Sequence, residues 1–545
     1  MVDTLLSSLE EVRDGYAEEL EWHRMLLDAY SGMGGFSGHL GQRTSDFWGA
    51  ASNVYAKGYE TNALSRTYLD RFHRERDAKF RGRVNGAHYT NYIKPLTDLK
   101  LSYLGRKPMS VEGRPDKLDD WRQDVDGLGT RWDQLLPTIR LRAAVLGWCP
   151  VVVDMPPAPR NPDGTPAAMT RAFAEELGIR PTAVPLFPAN VMDYQLDDSG
   201  FFEWVKIRTD HTAQETPFAP KTNVSRYTIW YRDRFDVFEV YESEDSSVQS
   251  VREISRDEPH DFGMVPVEIL THSPAPTDRV KGLPMHGQET VEARAHFNRQ
   301  SELEEHLRGQ VFAVLVLASE QNEAGGDVTI GSDNGLYLDP NASQKHYFMS
   351  PDPGVASTYE TRLETTVEEI YRQARVQFAR PTQSKAAVSG VARKFEFAQT
   401  DRALADFANQ IARFEERIDA LVGSALGIGE DQLQSIKVLP PTTFDVEDMQ
   451  SDLEIAIGAI NDLRIGPTAS RLMRMRAITS LIPNMSEDDQ SAVEEELAAL
   501  EEELAQERAA LTAIAMAGDD DTDTEGDTAD EDQAPPTDSQ DQPRA

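Results

Sequence analysis

Three segments of the chain decide its fold: HGQETVEARAHFNRQSELEEHLRGQVFAVLVLAS (286–319), VASTYETRLETTVEEIYRQARVQFARP (355–381) and TQSKAAVSGVARKFEF (382–397). The first two have helical composition, with acids and arginines on all sides. A helix of this kind needs neighbours on several sides or many ion pairs. We therefore predict two long helices that have neighbours on several sides or many ion pairs, followed by a loop of small residues.

The insert between the two helices, 320–354, has strand and turn character. Short strand-forming runs at 327–330, 335–338 and 346–349 are separated by glycine, asparagine and proline turns. Two or three strands of this length cannot bury a core alone. We predict that they are stabilised chiefly by pairing with copies of themselves.

The loop after the second helix carries the cations Lys385, Arg393 and Lys394 around a hinge at Ser389 and Gly390. A basic loop flanked by acidic helices is able to contact phosphate. The same cations also suit a loop that simply stays in water, and the sequence leaves both interpretations open.

Three histidines in the first helix, His286, His296 and His306, recur every ten residues. Ten residues miss three helical turns by about 80 degrees, so the three side chains rotate around the helix and cannot share one ion. We predict surface histidines and no metal site.

The composition indicates a globular, acidic protein of several units. The 545 residues carry a formal net charge of −38, of which residues 519–545 contribute 10 negative charges. Tight general binding of a DNA duplex is disfavoured, because phosphate affinity comes from cations. Cys149, the single cysteine, lies in an apolar context and is predicted to be a small core residue in a reducing compartment. With no signal peptide and no apolar run of membrane length, we expect a soluble protein made in a cytoplasm.

For the residues before these segments, the sequence predicts a helical arm, then a basic stretch and then an α+β body. A nucleic-acid patch and a subunit-contact face are both considered for the basic stretch, and the second is favoured because charge runs are usually paired or solvated. Its cations are Arg71, Arg74, Arg76, Lys79, Arg81 and Arg83. A helix from Trp132 to Gly147 and a buried strand at 151–153 follow, and the pattern is β from 181 to 270.

The part after them is predicted to be helical. Residues 398–426 form an amphipathic helix whose apolar face is Leu404, Phe407, Ile411, Phe414, Ile418 and Leu421. A helical unit with a leucine-rich heptad helix runs to 517. The acidic residues 518–545 cannot bury enough apolar surface to fold and are predicted to be disordered.

The order and spacing of several segments resemble the portal proteins of tailed bacteriophages. The resemblance covers most of residues 50–480 and rests on HYTNYIKPLTDLKLSYLGRKP, the α+β body, the helix leading into VFAVLVL, the insert with GLYLDP, the helix ETTVEEIYRQARV, and SGVARKFEF before a long helix. No single motif among these is as specific as a zinc or nucleotide signature.

The resemblance implies an α+β, portal-like fold with long stem helices, an α+β wing, a small clip insert and a helical crown. The parts it implies are an N-terminal arm (1–49), wing (50–281), stem helix 1 (282–319), clip (320–354), stem helix 2 (355–380), tunnel loop (381–397), wing helix (398–432), crown (433–517) and acidic tail (518–545). By the same analogy, Lys385, Ser389, Gly390, Arg393 and Lys394 face DNA. Clip residues that bind motor and adaptor are Asp327, Thr329, Asp333, Asn334, Tyr337 and Asp339.

A portal protein forms a ring, implied here to be a dodecamer, at one capsid vertex, through which DNA is packaged and ejected. The implied partners are copies of the chain, the terminase packaging motor, the head-tail adaptor, the major capsid protein, the scaffold and the double-stranded DNA in the channel, with no membrane. The implied location is the virion, assembled in the bacterial host cytoplasm. Another virion protein, an adaptor or a scaffold, fits less well. An enzyme with a dispersed acidic site is the further alternative, although the chain lacks a phosphate loop, an HExxH pair and a nucleophile elbow; we expect no enzyme and no cofactor.

Overall fold

The structure is a computed structural model of the chain that divides into two compact units, Met1–Asp445 and Val446–Ala545. Its described residues are 2–36, 67–106, 109–155, 179–214, 216–219, 221–242, 249–276, 278–311, 314–318, 335–338, 347–350, 352–376, 390–441, 444, 471, 474–475, 478, 491–500, 502 and 506. In the second unit, residues 491–500 are helical; there Leu497 is buried and Leu500 is exposed. The predicted acidic tail lies outside the described residues.

The first unit combines helices with small, mostly antiparallel sheets. Its described helices are α1 (Val2–Glu10), α2 (Tyr16–Ser31), α3 (Asp77–Gly86), α4 (Ile93–Arg106), α5 (Asp116–Arg122), α6 (Trp132–Leu146), α7 (Gly287–Val311), α8 (Gly354–Gln373), α9 (Gly390–Ala425) and α10 (Glu430–Ser435). Its described strands are β1 (Ser110–Glu112), β2 (Trp148–Asp154), β3 (Thr182–Pro185), β4 (Val191–Leu196), β5 (Phe202–Ala213), β6 (Thr222–Tyr231), β7 (Arg234–Glu242), β8 (Gln249–Pro259), β9 (Val267–Thr271), β10 (Ser273–Ala275), β11 (Asp278–Leu283), β12 (Val314–Ala318), β13 (Gly335–Leu338), β14 (Tyr347–Met349) and β15 (Lys437–Leu439).

The body is layered around strand β2, which alternates its side chains between two cores as a strand must. Cys149, Val151 and Val153 face the cluster formed with α6 and α9. Trp148 and Val152 face the second cluster, formed with the large sheet β4-β5-β6-β7-β8. The sheet β3-β2-β9 is therefore a middle layer between helices and the large sheet. Burial raises the pKa of the Cys149 thiol to about 12, so the prediction of a core cysteine is confirmed.

Helix α9 supplies one side of the largest core. The six apolar residues predicted for one face of this helix are all buried, from Leu404 to Leu421. Burying a side chain of this size contributes about 2 kcal/mol, so the face fixes α9 on the body. The helix begins at Gly390, earlier than predicted, and residues 390–397 are its first turns instead of part of a loop.

The large antiparallel sheet lies within 181–270, and its strands confirm the β pattern predicted for that range. Trp230 is buried in this sheet, while Trp204 is half-buried. Helix α1 covers the opposite face, where Leu9 packs near Tyr227. Lys206 on β5 donates to the carbonyls of Ser8 and Glu11 at 3.1 and 2.6 Å, which satisfies the carboxyl end of that helix.

A close backbone contact joins α6 to the start of the helix pair α7 and α8. Gly147 follows the last residue of α6 with φ of 94°, a conformation that favours glycine, and a Cβ there would lie 2.2 Å from the carbonyl oxygen of Gly282. The amide of Met285 also donates to the carbonyl of Ala144 at 2.8 Å. Gly282 lies in β11, so the first long helix begins at Gly287 and not at 282 as predicted.

Candidate functional site

The candidate site is the helix pair α7 and α8 with the small sheet that joins them. Later residues of α7 contact earlier residues of α8, so the two helices are antiparallel. Arg299 Nη1 donates to Thr366 Oγ1 at 2.5 Å, and Tyr359 Oη donates to Glu302 Oε2 at 2.9 Å. Further out, His306 Nε2 lies 3.0 Å from the carbonyl oxygen of Asp352. The pair is thus held by polar cross-links along its length.

The base of the pair is buried against the N-terminal part of the chain. Phe297 on α7 is 1% exposed and packs edge-on against Phe36, with ring centroids 5.4 Å apart. Ile370 on α8, Ala374 directly after it and Leu96 of α4 belong to the same cluster. These neighbours supply, within one chain, part of the surroundings that the mixed-charge composition of α7 demanded.

Two of the three helix histidines are buried at this base, so the prediction that they lie on the surface is wrong for them. His286 is 3% exposed and His296 is 6% exposed, while His306 is half-buried. Burial, together with the nearby Arg299 charge, lowers the pKa of His296 to about 4. The sequence suggested exposure because the flanking residues are charged, but α2, α3 and α4 cover this side of α7. No group of three potential ligand side chains in the described part of the chain suits a metal ion.

The outer half of α8 is exposed. Val355, Glu360 and Glu364 are all exposed, whereas the residues that face α7, such as Leu363, are half-buried. In the last turns of the helix, Glu369 pairs with Arg372, whose hydrogen bond lowers the pKa of the Glu369 carboxyl to about 2. A helix with one face covered and the other carrying charges and an exposed valine offers a surface for another chain.

The tip of the pair is a three-stranded sheet in the order β13-β12-β14. Strand β12 is parallel to β13 and antiparallel to β14. The sequence predicted β13 and the run at 346–349, but it placed 314–318 in the first helix, which instead ends at Val311. The residues VLVLA are β-branched or apolar and fit a strand. The predicted strand 327–330 lies outside the described residues.

Strand β14 leaves three large apolar side chains in a row exposed. Tyr347 is 37% exposed, Phe348 69% and Met349 44%. Because side chains alternate along a strand, Tyr347 and Met349 share one face of β14 and Phe348 lies on the other, so both faces expose large apolar side chains. Exposed apolar surface beyond single scattered residues marks an interaction surface. A sheet edge of this kind also presents unpaired backbone groups that invite another strand.

Most of the residues predicted to act at the clip and the loop lie outside the described residues. Those outside are Asp327, Thr329, Asp333, Asn334, Asp339, Lys385 and Ser389. Tyr337 is in β13, paired with Leu317 of β12. Gly390, Arg393 and Lys394 lie in the first turns of α9 and not in a loop, because the segment continues directly into a helix-forming sequence.

The basic stretch divides into structural and exposed cations. Arg83 is buried and paired with Glu75 at 2.9 Å, and Lys79 reaches Glu305 on α7 at 3.1 Å. Helical spacing in the sequence did not predict the ion pair between Arg83 and Glu75, because the two residues are eight positions apart. Three exposed arginines have no side-chain hydrogen bond or ion pair to any described residue: Arg74, Arg76 and Arg81.

Solved structures similar to this chain include two from gene transfer agent particles. One is the neck of a native gene transfer agent particle computed with C12 symmetry, 11% identical, covering 70% of this chain and 88% of the other, with a TM-score of 0.33. The other is the virion of a native gene transfer agent particle, with the same identity and coverage and a TM-score of 0.32. Superpositions of this quality do not establish a shared fold. No protein-family model matches the chain, and no curated protein matches it.

The described helices include none with the length and apolar character needed to cross a membrane.

Proposed function

We propose that this chain is a virion structural protein, specifically a portal protein whose copies form a ring at one capsid vertex. The observation that carries the proposal is the helix pair: its base is buried in its own chain, while the outer half of α8 and the apolar strand β14 are exposed. An isolated chain gains nothing from an exposed row such as Tyr347, Phe348 and Met349. Neighbouring copies would cover it.

The exposed face of α8 leaves room for a ring. The opposite face of α8 is covered within the chain, so a neighbour would meet the exposed one. In the proposed contact, this face meets a different surface of the next copy instead of the same face. Repeated head-to-tail contacts of this kind close into a ring when the rotation per copy divides a full turn. We propose twelve copies, with α7 and α8 lining the channel and the β12-β13-β14 sheet as the clip for the packaging motor and the head-tail adaptor.

The charge of the chain suits a channel that DNA passes through. A net charge of −38 disfavours adhesion of phosphate to the wall. Against this background, we propose that Lys385, Arg393 and Lys394 make brief contacts that resist slippage of DNA out of the capsid. In a packaging reaction, replacing all three with alanine should lower DNA retention without preventing ring assembly. Retention equal to that of the wild type would remove this role.

The ring itself is tested by replacing Phe348 with aspartate. We expect mass photometry and negative-stain images of the wild type to show rings, and Phe348→Asp to give monomers or open oligomers, because a buried charge at each subunit contact is costly. Phe201→Asp is the matched control, since Phe201 on the body is also 69% exposed. A wild type that stays monomeric at micromolar concentration, or rings that tolerate both substitutions equally, would contradict the proposal.

The proposal that the chain is not an enzyme has a separate test. Purified rings should show no ATP hydrolysis above that of a buffer control. Turnover that purifies with a monomer and survives the loss of rings would favour the enzyme alternative.

A further inference from the structure

A cavity of about 1010 Å³ lies at the base of the helix pair, beside α9. Its wall is formed by α4, the first turn of α7, the residue after β9, the end of α8 and one face of α9. Three cations and two acids are among the lining residues: Lys100, Arg375, Arg413, Glu289 and Asp406. It is separate from the exposed surfaces that the proposed ring uses, and the inference below does not depend on that ring.

Lys100 is the unusual residue of this cavity. Its side chain lines the cavity although it is only 7% exposed, and Nζ has no hydrogen bond or ion pair with any described residue. A buried ammonium group without an anionic partner is costly. In line with this cost, burial lowers the pKa of Lys100 to about 8, although the charge of Glu289 opposes that shift.

Glu289 does not serve as the missing partner, because it is engaged elsewhere. His286 Nδ1 donates to Glu289 Oε1 at 3.2 Å, and no ion pair joins this carboxylate to Lys100. Burial opposes ionisation of Glu289, but the His286 hydrogen bond holds the pKa of its carboxyl below the usual range. An acid in the first turn also stabilises α7 through the helix dipole. Lys100 therefore keeps its charge directed at the cavity without a direct counter-ion.

Two arginines bring further positive charge to the same space. Arg375 follows the end of α8 with φ of 56°, a left-handed conformation that is uncommon outside glycine. Arg413 lies on the exposed side of α9. Neither guanidinium group has a hydrogen-bond or ion-pair partner among the described residues. Asp406, exposed on α9, is the acid that partly offsets them.

We propose that this cavity binds the phosphate group of a small anionic ligand, held by Lys100, Arg375 and Arg413 together with the first turn of α7. A doubly charged oxyanion matches several cations beside the positive end of a helix dipole better than a single carboxylate does. The cavity is of the size that holds small organic ligands and is larger than one phosphate ion needs. The bound group is accordingly either free phosphate or the phosphate of a nucleotide.

The test is a calorimetric titration of the full chain at fixed ionic strength with two probes, inorganic phosphate and deoxyadenosine monophosphate. We expect Lys100→Met to weaken binding at least tenfold. Lys94→Met is the matched control on the same helix, since Lys94 is half-buried, does not line the cavity and is paired with Asp98 at 2.7 Å; it should bind like the wild type. Tighter binding of the nucleotide supports a nucleotide site, and equal binding supports a free phosphate site. No binding of either probe, or equal loss in both variants, overturns the proposal.

A second measurement needs no substitution and covers the case in which Lys100→Met fails to fold. Wild-type protein is treated with an amine-acetylating reagent at pH 8, with and without phosphate, and modification of each lysine is read by peptide mass spectrometry. Phosphate should slow acetylation of Lys100 at least fivefold and leave that of Lys94 unchanged. Equal rates at Lys100 with and without phosphate would overturn the proposal.

Discussion

Replacing Arg83 with methionine should destabilise the first unit by about 3–5 kcal/mol, the usual cost of removing one partner of a buried ion pair. Arg83 and Glu75 are each only 2% exposed at their side chains, and two hydrogen bonds of 3.0 and 2.9 Å join them. The guanidinium also donates to the carbonyl of Asp70 at 2.6 Å and lies over the rings of Phe72 and Phe80. The substitution removes all of these contacts at once.

The magnitude comes mainly from the charge left behind. Methionine replaces much of the aliphatic part of Arg83, so the lost packing is small, but the Glu75 carboxylate stays buried without its partner. Removing both charges in Arg83→Met/Glu75→Met should recover at least about 1 kcal/mol relative to the single variant, because apolar replacement of a whole buried pair is often nearly neutral. This recovery separates an ion-pair effect from a simple packing defect.

The assay is urea unfolding followed by circular dichroism, with DNA binding measured by gel shift on the same samples. Arg81→Met is the matched control on α3, exposed and without a described partner, and should change stability by less than about 0.5 kcal/mol. Equal unfolding midpoints for Arg83→Met and Arg81→Met would refute the structural role of Arg83. Loss of DNA binding in a fully stable Arg83→Met protein would revive the nucleic-acid interpretation of the basic stretch.

Three further predictions concern the body. Gly147→Ala should lower the free energy of unfolding by about 1–3 kcal/mol, because φ of 94° strains any residue with a Cβ and that atom would meet the Gly282 carbonyl. An unchanged thermal unfolding midpoint would contradict the close contact between Gly147 and Gly282. Lys206→Met should speed amide exchange across α1 and leave α9 unchanged, since it removes the donors to the last carbonyls of α1; equal exchange would exclude that role. The free energy of unfolding should fall as pH drops from 6.5 toward 4. Burial lowers the pKa of three histidines to about 4: His23, His272 and His296. In this pH range the unfolded chain therefore binds more protons than the folded one. Triple replacement by glutamine should flatten this dependence, and an unchanged slope would show that other groups cause it.

Much of the body was predictable because its periodicities are uninterrupted. The apolar face of α9 repeats at helical spacing over five turns, and every predicted member is buried. The aromatic and β-branched runs of β5, β6 and β7 are separated by turn residues, and each became a strand. In both cases local preference and tertiary packing favour the same structure, which is the condition under which pattern alone suffices.

The helix pair was harder because its surroundings are not encoded nearby in the chain. His286 and His296 looked exposed among charged neighbours, yet they are covered by residues about two hundred positions earlier, such as Tyr92, whose ring packs edge-on against His296. The end of α7 was misplaced for a different reason: VFAVLVL is compatible with both helix and strand. The segment is a strand because it pairs with β13 and β14, and the periodicity of a sequence does not show which segments pair.

Because the base of the pair is buried, the mixed charge of α7 does not by itself require contacts with other chains. Polar helices were expected to need neighbours on several sides, and α7 finds many of them inside its own chain, through Arg294 to Asp70 at 2.8 Å and Lys79 to Glu305 at 3.1 Å. Among the described residues, the surfaces that the proposed ring would use are the outer half of α8 and β14. Substitutions at the base should act on the folding of the single chain, whereas substitutions at Glu360 or Phe348 should act on assembly. If a ring forms, substitutions of the second group should shift the protein concentration at which it assembles. Substitutions at the base should leave that concentration unchanged in protein that still folds.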